Sequence, residues 1–248
     1  MSARKTKAVA AQTRLELTLT LRQGEGLLVS FAIPIGILVF FVKVGGESFV
    51  PKGETAVDFL VPGILALAVM SSAMVSLGIA TGFERRYGVL KRLGSTPLSR
   101  LGLLVAKTVN VVTIEAVQVV CIVITGVLLG WEVPSGIIAT VPILILGTIA
   151  FAGIGLLCAG TLRAEVNLAF LNGLFLVLLF LGDMAYPLSK LPDWLASVAR
   201  HLPAAALAEC VRGLLEPHRN FPTESFVILL AWAIIAPLLA ARYFTWEE

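Results

Sequence analysis

The chain has 248 residues, of which 58% are hydrophobic and only 14% carry a charge. A soluble domain has roughly 25% charged residues, so this composition excludes an ordinary soluble protein and favours one that lies in a membrane. The formal net charge of +3 is too small to suggest nucleic acid as a partner, and the three cysteines, Cys121, Cys158 and Cys210, have neither metal-binding nor paired spacing.

Residues 1–26 form a polar amino-terminal segment that begins with Arg4, Lys5 and Lys7. Residues 15–21 (L-E-L-T-L-T-L) alternate between apolar and polar, and this period by itself favours a strand. A lone strand at a membrane surface would leave its backbone groups unpaired, so we interpret the segment as a cytoplasmic interfacial helix.

Six apolar runs predict transmembrane helices, since about 20 helical residues cross a hydrocarbon core. The predicted spans are 27–42, 57–82, 101–130, 137–161, 167–181 and 224–243. The first of them is short for a complete crossing. The second span ends in Gly78-x-x-x-Gly82, and small residues at this spacing let helix backbones approach closely in lipid. The motif indicates either packing within the subunit or contact with a second subunit.

The basic loop (residues 83–100, FERRYGVLKRLGSTPLSR) joins the second and third spans. Its single acid is Glu84, and its basic residues are Arg85, Arg86, Lys91, Arg92 and Arg100. Short loops with such an excess stay on the cytoplasmic side, which predicts that the loop and both chain termini are inside. One short helix over residues 84–93 is also predicted, with Glu84 near its positive end and Gly94 and Pro97 after it. A solvated loop that only sets the topology is the alternative.

The third predicted span is the most polar. A stripe within about 80° of a helical wheel, at 100° per residue, consists of Lys107, Asn110, Gln118, Cys121 and Thr125. Glu115 lies one turn before Gln118, and a carboxylate near mid-span costs about 2.5–3.5 kcal/mol unless it faces protein or water. The polar residues indicate either hydrogen bonds between helices of one subunit or the wall of a transport path, for which the candidates are Asn110, Glu115, Gln118 and Thr125.

Residues 182–223 are fairly apolar but are interrupted by Pro187, Pro192, Pro203 and Pro217. Apolar residues recur at helical spacing on both sides of Pro203, which predicts two amphipathic helices that are too short to cross. They either lie on the outer face or dip into it. His201 and His218 in this segment are interpreted as interfacial or solvated side chains, not metal ligands. In the short inner turn before the fifth span, Glu165 is expected to pair with Arg163.

The sequence contains none of the phosphate-loop, G-x-S-x-G or H-E-x-x-H signatures. We therefore do not expect the chain to be an enzyme, and it should not hydrolyse ATP by itself.

These motifs together resemble a known family. They are Pro62-Gly63 at the start of the second span, E-R-R-x-G-x-L-K-R-L-x-x-T-P-L in the basic loop, and the later Leu191-Pro192, Leu202-Pro203 and Arg212-Gly213. The pattern is similar, over essentially the whole chain, to the membrane (permease) subunit of bacterial type-2 ATP-binding-cassette (ABC) exporters. The resemblance implies an all-α membrane protein with six transmembrane helices and both termini inside. It also implies an amino-terminal interfacial helix, a cytoplasmic coupling helix in the basic loop, and an outer re-entrant hairpin at 182–223.

The resemblance also implies roles for individual residues. The residues that would couple to the ATPase are Glu84, Arg85, Arg86, Gly88, Leu90, Lys91, Arg92 and Leu93. Leu90 and Leu93 would supply the apolar contact, and Gly88 would allow close approach. The outer hairpin, which would help to close the exit of the path, includes Pro187, Pro192, Trp194, Pro203 and Arg212.

The implied function is ATP-driven export of a hydrophobic or amphipathic substrate, such as a drug, an antibiotic or a lipid, across the bacterial plasma (inner) membrane. This chain would hold no cofactor, because ATP and Mg²⁺ would bind two separate ABC ATPase subunits. A second permease subunit, identical or homologous, and membrane lipid would be its other partners. An ion-coupled secondary transporter that uses Glu115, or a non-transporting assembly protein, is the alternative. Co-purification of an ATPase subunit separates the first reading from both.

Overall fold

The computed structural model describes residues 2–22, 24–45, 55–94, 99–184, 187–216 and 220–245. Within these ranges the regular elements are all helices, which confirms the all-α fold. The α-helices are α1 (Ser2–Arg22), α2 (Gly24–Phe40), α3 (Ala56–Met70), α4 (Leu77–Arg86), α5 (Val89–Gly94), α6 (Arg100–Leu128), α7 (Ile137–Thr161), α8 (Ala164–Leu181), α9 (Asp193–Arg200), α10 (Pro203–Leu215) and α11 (Thr223–Tyr243). The other described elements are short π-helical turns at Phe41–Gly45 and Ser71–Ser76 and a 3₁₀ turn at Leu188–Lys190. Pro97, Pro217 and His218, which the sequence analysis singled out, lie outside the described residues.

Five helices are long and apolar enough to cross a membrane. They are Ala56–Arg86, Gly102–Leu128, Ile137–Thr161, Ala164–Leu181 and Thr223–Tyr243. In the first of them a π turn joins α3 to α4. These helices coincide with the second to sixth predicted spans. The first predicted span, 27–42, overlaps the shorter apolar helix Ser30–Val44, so the count of six remains a prediction.

The amino-terminal segment is helical through the alternating run that favoured a strand by its period. The Thr18 and Thr20 hydroxyls donate to the carbonyls of Arg14 and Glu16, one turn earlier, at 2.8 and 2.9 Å. The helix packs on α6 and buries Glu16 there. The interpretation as a helix is therefore confirmed, because the polar positions of the run find partners within the helix and on α6.

The helix Ala56–Arg86 is buried along most of its length and is the centre of the fold. Thr55 precedes the helix as its N-cap residue, and its side chain accepts a hydrogen bond from the Asp58 backbone N–H at 3.2 Å. A Cβ on Gly78 would lie 2.9 Å from the Gly155 carbonyl oxygen, and one on Gly82 would lie 2.7 Å from the Asn167 amide. The Gly78-x-x-x-Gly82 motif thus packs against α7 and α8 of the same chain.

The predicted hairpin consists of α9 and α10. Helix α10 is buried against α3, α7 and α11 and enters the body of the protein, whereas α9 stays near the surface, with Trp194 70% exposed. Pro203 occupies the first turn of α10, where its missing N–H leaves no hydrogen bond unmade. The two short helices are confirmed, and α10 is the one that dips inward.

Candidate functional site

The basic loop is divided into two helical pieces, so the prediction of one helix over residues 84–93 is wrong. Helix α4 ends at Arg86, Tyr87 and Gly88 form a turn, and α5 begins at Val89. Gly88 has a φ of 72°, a left-handed conformation that glycine adopts without steric cost and that commonly ends a helix. Apart from its two chain neighbours, a Cβ at Gly88 would meet no atom of the described residues within 4 Å, so the conformation of the turn, and not close packing against these residues, requires glycine.

The exposed apolar surface of the basic loop differs from the prediction. Leu90 is fully buried in the core and Leu93 is partly buried, so Leu90 cannot offer the predicted apolar contact to a partner. Tyr87 and Val89 are exposed instead, at 70% and 41%, and the Tyr87 ring stacks on Phe83 with 6.2 Å between centroids. Lys91 and Arg92 lie on the same exposed segment.

Two arginines tie the end of α4 to neighbouring helices. The buried Arg85 donates to the carbonyl oxygens of Ala159 and Leu162, at 2.7 and 2.9 Å, where α7 ends. A cation is favourable there because the last carbonyls of a helix lack partners within it. Arg86 forms an ion pair with Glu165 in the first turn of α8. The expected pairing of Glu165 with Arg163 is therefore wrong.

A buried ion triad includes Glu84, the acidic residue at the start of the basic loop. Lys107 of α6 is 1% exposed, and its Nζ lies 3.0 Å from Glu16 Oε1 and 2.7 Å from Glu84 Oε2. Gln12 also donates to Glu16 Oε1 at 2.8 Å. The triad joins α1, α4 and α6, so the helices that precede and follow the basic loop are both tied to the amino-terminal helix.

The polar stripe of α6 makes hydrogen bonds inside the subunit. Asn110 donates to the Thr20 hydroxyl of α1 at 3.1 Å. Gln118 accepts from Ser72 at 2.9 Å and donates to the Ser30 carbonyl at 3.0 Å. For Asn110 and Gln118, these contacts favour the first of the two predicted roles, which is hydrogen bonding between helices of one subunit.

The other two path candidates are also bonded within the chain. The Thr148 hydroxyl of α7 donates to Glu115 Oε2 at 2.5 Å, and the Thr125 hydroxyl donates to the Cys121 carbonyl of its own helix at 2.8 Å. Glu115 therefore faces α7, away from the side on which Asn110 meets α1. The candidate residues do not line one continuous wall.

Arg212 holds the hairpin to the body of the protein. It is 1% exposed and donates to the Phe59 carbonyl at 2.9 Å and to the Asp183 carbonyl at 2.6 Å. Its guanidinium also lies 3.3 Å from Asp183 Oδ2, 3.7 Å from Glu216 Oε1, and 3.8 Å from the centroid of the Phe59 ring. Asp183 itself has a left-handed φ of 54° and accepts from the Leu188 N–H at 2.8 Å.

Of the predicted hairpin residues, Pro187 and Arg212 line one cavity of about 560 Å³. Asp183, Glu209, Glu216 and Arg200 are also on its wall. Pro192 and Trp194 are exposed, while Pro203 is buried at the start of α10.

The partners of the buried charges are residues that the sequence motifs do not indicate. Lys107 contacts Glu16, Glu115 accepts from Thr148, and Arg212 contacts Asp183. One signal was available, because a charged residue inside an apolar span needs a partner from another helix. A single sequence does not say which residue supplies it.

The chain is similar to known transport permeases. The family model described as "ABC-2 type transporter" matches residues 7–215. The "Putative transport permease YvfS" of Bacillus subtilis is 24% identical over 242 residues, which are 92% of this chain and 94% of that protein. The "Putative transport permease ycf38" of Cyanophora paradoxa is 30% identical over 63% of this chain and 55% of that one. The "Probable doxorubicin resistance ABC transporter permease protein DrrC" of Mycobacterium tuberculosis is 23% identical over 82% of this chain and 74% of that one.

Proposed function

Because the chain belongs to the ABC-2 type transporter family, we propose that it exports a hydrophobic or amphipathic substrate with energy from a separate ATPase. It is a multi-pass protein of the plasma membrane and the membrane subunit of an ABC transporter. In the proposed complex two ATPase subunits bind ATP and Mg²⁺. Two permease subunits, identical or homologous, enclose the path.

The basic loop is the proposed docking site for the ATPase. The single observation that carries this assignment is the division between its exposed and buried residues. Tyr87, Val89, Lys91 and Arg92 are exposed, whereas Glu84, Arg85 and Leu90 are held by α6, α7 and the core. A partner that pushes on the exposed residues would therefore move the ends of several spans.

The substrate class rests on two weaker indications. Lys107 and Glu115 of the third span are paired or hydrogen-bonded within the chain, which leaves a mostly apolar surface for a path. The name of the relative from Mycobacterium tuberculosis includes doxorubicin resistance, which supports an amphipathic drug as the first substrate to try. A lipid is the other member of the proposed class.

The test combines capture of the ATPase with transport. The tagged permease is purified from membranes, the ABC ATPase that co-purifies is identified, and both are reconstituted into liposomes with doxorubicin as the probe. We expect transport that requires ATP and persists when proton and sodium gradients are collapsed. Transport that follows an ion gradient and ignores ATP would overturn the proposal in favour of a secondary transporter.

A charge-reversal pair tests the docking site. Lys91→Glu combined with Arg92→Glu should lower ATPase recovery at least tenfold, because both side chains lie on the exposed loop. Lys190→Glu, an equally exposed reversal in the 3₁₀ turn before α9, should leave recovery unchanged. Equal recovery with both variants would exclude the basic loop as the docking site.

A further inference from the structure

A cavity of about 230 Å³ lies between α1, α2, the helix Ala56–Arg86 and α6. Its polar residues include Glu16, Glu84, Lys107 and Asn110, and its apolar wall includes Leu19 and Val111. The cavity has room for several water-sized groups. The candidate path residue Asn110 lines it, whereas Glu115 does not.

Asn110 carries an acceptor that no described residue satisfies. The side chain is 93% buried, since its exposure is 7%, and its amide nitrogen donates to Thr20. Its Oδ1 is buried and has no hydrogen-bond partner among the residues that the structure describes. A buried amide oxygen without a partner is costly, so a donor from outside the chain would be favourable at this position.

The charges around the cavity point to a cationic donor. Lys107 lies within 3.0 Å of one carboxylate and 2.7 Å of the other, so the triad with Glu16 and Glu84 carries a formal charge of −1. An excess negative charge in a low-dielectric site favours an additional cation. The carboxylates can only accept hydrogen bonds, and so can Asn110 Oδ1. The cavity therefore suits a group that has one positive charge and several N–H donors.

The opening of the cavity is lined differently from its base. Leu19, Ser76 and Ala80 are exposed at its edge, whereas Lys107, Asn110 and Ser72 are buried. The edge residues are apolar or small, so an alkyl chain could leave the cavity between α1 and α4. Glu84 belongs to the basic loop, which is predicted to be cytoplasmic, and this places the opening at the level of the inner leaflet.

We propose that this cavity binds the primary ammonium group of an amphiphile drawn from the inner leaflet. The ammonium donates hydrogen bonds to Asn110 Oδ1 and to the carboxylates of Glu84 or Glu16, and its alkyl chain passes over Leu19 and Ala80. Binding neutralises the formal charge of the triad. That the bound amphiphile is then exported rests on the proposed function, whereas the site itself does not.

The test compares ligands that differ in one property each. The full chain is placed in nanodiscs of phosphatidylcholine, whose headgroup has no N–H donor, and saturable binding of radiolabelled dodecylamine is measured without nucleotide or ATPase. We expect dodecylamine to bind at least tenfold more tightly than dodecyltrimethylammonium, which has the same chain and charge but cannot donate. Butylamine, which has the donor but a short chain, should bind at least tenfold more weakly than dodecylamine. Competition by added phosphatidylethanolamine would identify a membrane lipid as the source of the ammonium, and its absence would identify a single-chain amphiphile.

Variants of Asn110 give opposite expected signs. Asn110→Leu removes the acceptor and should weaken dodecylamine binding at least tenfold, while Asn110→Asp adds a negative charge and should tighten it at least threefold. Thr113→Leu, on the exposed side of the same helix, should leave binding unchanged. The opposite signs separate ligand binding from a general loss of folding, which would weaken binding in both Asn110 variants.

Four results would overturn the proposal. Three of them are equal affinity for the primary and quaternary amines, unchanged binding in Asn110→Leu, and absence of saturable binding, which would mean that water alone fills the cavity. The fourth is butylamine bound as tightly as dodecylamine, which would exclude an amphiphile. Because the assay contains no ATP, none of these results bears on ATP-driven export.

Discussion

Replacing Lys107 with methionine should destabilise the permease strongly. Methionine keeps the unbranched length of the side chain but removes its charge, and Lys107 is 1% exposed between Glu16 Oε1 at 3.0 Å and Glu84 Oε2 at 2.7 Å. Loss of one member of a buried ion pair costs roughly 3–5 kcal/mol, because the remaining charge stays buried without compensation. The Glu84 side chain is 28% exposed and Glu16 11%, so water screens part of this cost and we expect a value of about 3 kcal/mol.

A thermal melt measures this loss. About 3 kcal/mol corresponds to a decrease in melting temperature of roughly 6–12 °C for a chain of this size. Cys210 is fully buried, so its reaction with a thiol-reactive dye reports unfolding in a background in which Cys121 and Cys158 are replaced by serine. The wild-type side chain at position 107 in the same background is the reference.

Neutralising both carboxylates provides the control. Lys107→Met combined with Glu16→Gln and Glu84→Gln leaves no unpaired charge and should recover stability to within about 1–2 kcal/mol of the reference, since neutral replacements of buried ion groups are often tolerated. A single variant that melts within about 2 °C of the reference would refute the buried triad. A triple variant as unstable as the single one would show that packing, not charge, determines the effect.

Four further predictions concern the turn at Gly88, the contacts of Arg212, the membrane topology and Glu115. Gly88→Val should lower ATPase recovery because a β-branched residue is strained at a φ of 72°, whereas Gly88→Asn, which tolerates that conformation, should retain most of it. Arg212→Lys should lower stability by about 2–3 kcal/mol in the dye melt, since an ammonium cannot reproduce two guanidinium hydrogen bonds. An impermeant thiol reagent applied to intact cells should label Trp194→Cys but not Tyr87→Cys, although both positions are 70% exposed; the reverse pattern would invert the topology. Glu115→Gln should export a cationic and a neutral substrate as well as the wild type does, because the amide oxygen can still accept from Thr148; selective loss of the cationic substrate would place the carboxylate in the path.

The spans were predictable because membrane thickness fixes the length of an apolar helix. The predicted span 57–82 became Ala56–Arg86, and 224–243 became Thr223–Tyr243. Each run needs only its own composition to be recognised. The prediction failed where a residue has two permitted conformations, as at Gly88, which is compatible with a helix but adopts a left-handed turn.

The contacts between helices were not predictable because they join distant parts of the sequence. Asn110 bonds to Thr20, and Arg212 bonds to the carbonyl of Phe59. The sequence indicates that a buried charge or amide needs a partner, but many residues could satisfy that need. Helix packing selects among them, and the packing depends on the whole set of small and large side chains along each span.

Three consecutive residues at the end of α4 contact three different helices. Glu84 pairs with Lys107 of α6, Arg85 bonds to the last carbonyls of α7, and Arg86 pairs with Glu165 of α8. Successive residues of a helix point about 100° apart, so the end of α4 contacts its neighbours on three sides.

These three contacts differ in strength because they differ in burial. The Arg86–Glu165 pair is 44% and 59% exposed, and exposed ion pairs contribute about 0–1 kcal/mol. Arg85 and Lys107 are 5% and 1% exposed. Loss of a carboxylate partner from Lys107 would cost roughly 3–5 kcal/mol, and each hydrogen bond from the Arg85 guanidinium to a carbonyl contributes about 1.5–3 kcal/mol. Among these three contacts the Arg86–Glu165 pair therefore contributes least to holding α4 in place. Helix α8 is also held to α4 by the buried Asn167 amide, which donates to the Gly78 carbonyl at 2.9 Å and packs on Gly82.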